Sequence, residues 1–129
     1  MPITLSEGNV TANFFIGDGS QVTGIITPMV ALSGSTSITV SATGKCYYKS
    51  TNGDLTLTLA NSASQNFNIG SGIQIMNQGT GNITVAQDTG VTLYLSGNAS
   101  SGNRKVTTFG AATLLKVASD TWVITGTAV

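Results

Sequence analysis

The sequence predicts an all-β protein, an antiparallel, jelly-roll-like β-sandwich behind an extended N-terminal arm, and three observations predict it. Apolar residues recur with period two wherever they cluster, as in "DLTLTLAN" from Asp54, the pattern of a strand with one buried and one wet face. Turn residues such as Asn52-Gly53, the glycines of "QGTG" and Gly90 separate these runs at short intervals. No window holds a helical period, while β-branched Thr, Val and Ile are spread throughout. Eight or nine short strands in one antiparallel unit is the sum.

From the N-terminus, residues 1–28 carry a thinner apolar pattern that stops at Pro28. They read as an attachment and trimerisation arm that needs a neighbour, and residues 29–129 as the β module. Pro28 suits a junction, because its ring removes a backbone donor and pushes the preceding residue toward extended geometry. "TSITVSAT" sets Ile38 and Val40 against Thr39 and Ser41. Lys45 to Thr51 and Asp54 to Ala60 are expected to pair as a hairpin about Asn52-Gly53, whose residues tolerate the positive φ of a type I′ turn.

"GIQIMN" and "NITVAQ" alternate Ile73 with Ile75 and Ile83 with Val85, and "VTLYLS" sets Val91, Leu93 and Leu95 on one face. "SGNASSGNRK", Ser96 to Lys105, reads as an exposed loop. The last pair, "ATLLKVAS" and "DTWVITG", reads as a hairpin about Ser119 and Asp120, with Leu115 and Val117 opposite Trp122 and Ile124.

At 129 residues the chain has the length of one domain with one core. Charged residues make up 8% of it, against about 25% in ordinary globular proteins, so 20 Thr, 14 Ser, 16 Gly and 10 Asn must carry its solubility. Five basic and five acidic residues balance to zero and form no basic run, which argues against a nucleic-acid partner. The apolar runs fall far short of the ~20 residues that cross a bilayer, and "MPITLSEGNV" lacks a signal-peptide pattern. Synthesis and folding in a cytoplasm, without a membrane partner, are expected. Cys46 has no second cysteine to pair with and reads as a small core hydrophobe. The sequons at Asn9, Asn82 and Asn98 are what 10 Asn among so many Ser and Thr produce by chance.

With no His and one Cys, zinc sites and His-dependent triads are excluded. Of the carboxylates Glu7, Asp18, Asp54, Asp88 and Asp120, four fall in expected turns, where aspartate bonds local amides; a glycosidase would need two facing across a cleft. The glycines of "GDGSQVTG" are followed by no lysine before Lys45, and "GSGIQIMNQGTG" leads into a strand, so neither is a phosphate loop. A non-enzymatic protein with no metal and no cofactor is expected. Trp122 reads as core. Aromatic faces beside amides can also stack on sugars, and Tyr48, Tyr94, Asn98 and Asn103 are the candidate contacts for a surface glycan.

"ANFFIGDGSQVTGI", Ala12 to Ile25, resembles a short module of tailed-bacteriophage fibre proteins: an aromatic pair, Gly-Asp-Gly-Ser, then Thr-Gly. "GIQIMNQGTGNITVAQDTGVTL" and "TLLKVASDTWVITG" resemble a second module of phage virion proteins. The chain lacks a long repetitive shaft, which suits a capsid decoration or short head-fibre subunit as well as a tail-fibre tip. The resemblance implies a homotrimeric virion surface protein, made in the bacterial host and bound to the major capsid protein or another virion protein. It also implies that Phe14, Phe15, Ile16, Gly17, Asp18 and Gly19 form an assembly element near a threefold axis, where glycine lets chains approach closely. The alternative is a carbohydrate-binding adhesion module that recognises a host surface polysaccharide.

Overall fold

A computed structural model describes residues 26–129. It is all-β: ten strands form two sheets around one shared core, with a single 3-10 turn at Val40–Ala42. The strands are β1 Met29–Ala31, β2 Thr36–Ile38, β3 Cys46–Lys49, β4 Leu55–Leu59, β5 Gly72–Asn77, β6 Ile83–Gln87, β7 Thr92–Leu95, β8 Arg104–Val106, β9 Ala111–Ala118 and β10 Thr121–Gly126. Sheet A has the order β1-β3-β5-β9-β10-β7, and sheet B the order β2-β4-β6-β8.

The strands lie close to where alternation puts them, but their partners differ from the expected ones. The antiparallel unit is corrected to two mixed sheets, because β1, β3 and β5 pair in parallel, as do β2, β4 and β6, and β7 with β10. The hairpin about Asn52-Gly53 does not form: β3 belongs to sheet A and β4 to sheet B. The turn is a corner that carries the chain from one sheet to the other. From β1 to β6 each sheet therefore receives every second strand, running the same way, and parallel pairing follows.

Two successive coils stack with an offset of 28 residues, which sets Cys46 beside Gln74 and Leu55 beside Ile83. The corners stack as well. Asp54 Oδ1 accepts the Asn82 amide at 2.7 Å, and Thr80 Oγ1 meets Asn52 Oδ1 at 3.0 Å. A parallel stack ends in open edges unless something caps it. Here β9 and β10 close sheet A with antiparallel pairs, β8 runs antiparallel to β6, and Val129 exchanges both backbone hydrogen bonds with Lys105.

The core follows the alternation. Leu55, Leu57 and Leu59 of β4, Ile83 and Val85 of β6, Ile73 and Ile75 of β5 and Leu93 of β7 are buried together, each contributing about 1.5–3 kcal/mol against exposure. Val40 departs from the expectation: β2 ends at Ile38, the 3-10 turn swings Val40 outward, and Ala42 is buried in its stead.

The β9–β10 hairpin forms about Ser119 and Asp120 as expected, but with the opposite face of β9 inward. A bulge shifts the register between Thr121, opposite Ala118, and Trp122, opposite Lys116. That one-residue slip turns Leu114 and Lys116 into the core beside Ile124 and Trp122, and leaves Leu115 and Val117 outside.

Candidate functional site

The expected assembly element, Phe14 to Gly19, lies outside the described residues. The chain reaches the described domain at Ile26, Thr27 and Pro28, all exposed, and Pro28 O accepts the Cys46 amide at 2.9 Å. The described chain therefore begins beside β1, the edge strand of sheet A.

The four candidate glycan contacts do not form one patch. Tyr94, on β7, bridges to Ser101, and Asn98 and Asn103 lie on the same excursion. Both amide oxygens are already used: Asn98 Oδ1 accepts the Ser100 amide at 2.9 Å, and Asn103 Oδ1 accepts the Gln87 amide at 2.9 Å. Tyr48 sits on β3, four strands away across sheet A, or roughly 19 Å at the usual strand spacing.

Each described carboxylate is engaged in a turn. Asp54 takes the Asn82 amide. Asp88 takes the amides of Asn61 and Thr89 at 3.3 and 2.8 Å. Asp120, at a φ of 48°, accepts both the amide and the hydroxyl of Ser62 at 2.8 and 2.9 Å, which ties the last hairpin to the loop after β4. Among the described residues no three His, Cys, Asp or Glu side chains gather where a metal ion could be held. No helix among them is long and apolar enough to cross a membrane.

Sequence reasoning missed a set of buried polar groups. Lys49 is buried, and its ammonium donates to Thr80 O and, at 3.4 Å, to Asn77 Oδ1. Asn77, also buried, donates to Gly81 O and Val106 O at 2.8 and 3.0 Å and accepts the Gly79 amide at 3.2 Å. This network pins the corner after β5 from inside, since a buried amide with unmet bonds would cost about 1–3 kcal/mol. Lys116 donates to Phe67 O at 2.6 Å. Lys49 and Asn77 carried one signal: they stand 28 residues apart at matched positions on β3 and β5.

Cys46 is buried, and burial pushes its thiol pKa up. It belongs to the outward row of sheet A rather than to the core cluster, between its register partners Met29 and Gln74. A raised pKa leaves less thiolate at a given pH, so native Cys46 is expected to react with a thiol reagent at pH 8 about tenfold or more slowly than in urea. Equal rates in the two states would show an open thiol.

The chain matches no protein-family model and no curated protein.

Proposed function

We propose that this chain is a non-enzymatic structural protein of a tailed-bacteriophage particle. In this reading it is a homotrimer displayed on the virion surface as a capsid decoration, head-fibre or short tail-fibre subunit. Residues 1–28 attach it to the major capsid protein or another virion protein. The observation that carries the reading is the pair of motifs, Gly17-Asp18-Gly19-Ser20 and Asp120-Thr121-Trp122-Val123. The chemistry of the β module supports it. Asp54, Asp88 and Asp120 hold turns, and Lys49 and Lys116 bond to carbonyl oxygens inside the fold, so these groups serve architecture rather than a reaction. Three identical arms on one trimer would combine weak individual contacts into firm attachment through effective concentration.

The test is binding of purified protein to particles of the parent phage that lack it. The full chain should decorate them, whereas the 29–129 fragment and the full-length Gly19→Val variant should not, since valine blocks a tight turn that glycine permits. Full occupancy by the fragment would place attachment in the β module. Failure of the full chain to bind, together with a specific hit on a glycan array, would favour the adhesion module instead.

A further inference from the structure

The outward faces of the two sheets are written differently. On sheet B, Ser37, Thr58 and Ala86 share one row, and Thr56, Thr84 and Lys105 the next. Hydroxyls and an ammonium there meet water. On sheet A, Tyr48 stands beside Met76, and Leu115 beside Val123, which in turn pairs with Tyr94. Leu115 and Val117 are each 44% exposed. Between these apolar groups, Gln74, Thr113 and Thr125 form a neutral strip along a groove floored by Ala111 and Gly126. None of the outward positions of sheet A carries a charge, because Lys49 and Lys116 point inward. At the Ala111 end Phe109 holds its ring 81% exposed on a backbone with φ of 58°. A non-glycine residue holds that left-handed conformation at a cost, which suits a contact completed by another chain.

We infer that the outer face of sheet A is the surface through which copies of this chain associate, an inference that rests on the trimeric reading above. Charge selects the occupant. An ordinary protein surface would bring Lys, Arg, Asp and Glu onto a face with nothing to pair them, and each would be desolvated at a cost. Around a threefold axis three such faces turn inward, so each copy meets only the equally neutral surfaces of its two neighbours. Size agrees: six strands of three to eight residues, about 4.8 Å apart, give a footprint of roughly 500 Å², of the same order as the about 800 Å² each partner gives to a standard interface.

The experiment measures the mass of the full chain by light scattering at micromolar concentration. The wild type is expected at three times 13.1 kDa. Leu115→Glu and Thr113→Arg, both at exposed positions of the face, should lower the mass threefold while keeping the β spectrum. Thr58→Arg on sheet B should not change it. A trimer that persists in both face variants overturns the inference and leaves the virion reading standing, whereas a single-chain mass for the wild type overturns both trimer and interface. If a face variant loses its β spectrum, Thr113→Cys labelled with pyrene reads the contact in folded protein, since Cys46 is buried. Excimer emission is then expected, and its absence would overturn the inference.

Discussion

Trp122→Ala is expected to lower the unfolding free energy by about 3 to 5 kcal/mol. The indole is 1% exposed on β10, flanked by β9 and β7, and meets the Phe67 ring edge-on at a centroid distance of 5.1 Å. Truncation would lose the burial of the largest core side chain and strand Phe67 beside a cavity, and strands paired on both sides cannot collapse to fill it. Against the 5–15 kcal/mol that holds a typical domain together, this is about a fifth of the stability or more, and the Tm should fall by at least about 10 °C. Thermal unfolding followed by circular dichroism checks it, with Trp122→Phe as the milder comparison. An unchanged Tm would mean that the ring is not part of the core that holds the fold.

Gly81→Ala should cost more than about 3 kcal/mol, well beyond Gly53→Ala at the equivalent corner. Both glycines have positive φ, 78° and 94°, so both substitutions pay about 1–2 kcal/mol for the left-handed backbone. The difference is contact. A Cβ at Gly53 meets open space, while one at Gly81 would lie 2.5 Å from the Gly53 carbonyl carbon and 2.8 Å from Asp54 Oδ1. Gly79 is equally confined, because a Cβ there would collide with the Thr51 carbonyl. The Gly53 and Thr51 atoms are backbone of the coil beneath, held by the parallel pairs β3–β5 and β4–β6, and they cannot retreat without opening both sheets. Denaturant titration of the two variants reads the gap, and equal losses would mean that the corners are not stacked.

That stacking was visible in the sequence as a recurrence nobody needs a partner strand to see: Gly53 and Gly81, Asp54 and Asn82, Leu55 and Ile83, Thr56 and Thr84 repeat at one interval. Taken singly, Asn52-Gly53 looks like a hairpin, because the positive φ it permits serves a hairpin and a sheet-to-sheet corner alike. The expected register of the last hairpin, Val117 against Trp122 and Leu115 against Ile124, is what a tight turn gives without a bulge. The bulge moved Lys116 inside, where its ammonium finds Phe67 O. The carboxylates were legible as turn residues but not by partner: only Asp88 takes an amide of its own turn, from Thr89, while Asp54 and Asp120 take amides 28 and 58 residues away. The face of sheet A was not, because it exists only once β5, β9, β10 and β7 lie side by side.

The sequence by itself determined the all-β character, the position of most strands and, on β4, β5, β6 and β7, which side chains point inward. Side-chain alternation is a local property of extended backbone, so it survives whatever the strand pairs with. The tertiary structure decided which strands pair, in which direction and in which sheet, and where the bulge inverts β9. Those choices rest on hydrogen bonds and packing between segments up to 58 residues apart, as from Ser62 to Asp120. A hairpin and a corner differ little within the turn itself, and the stacked coil prevails because it buries both leucine and isoleucine faces in one core.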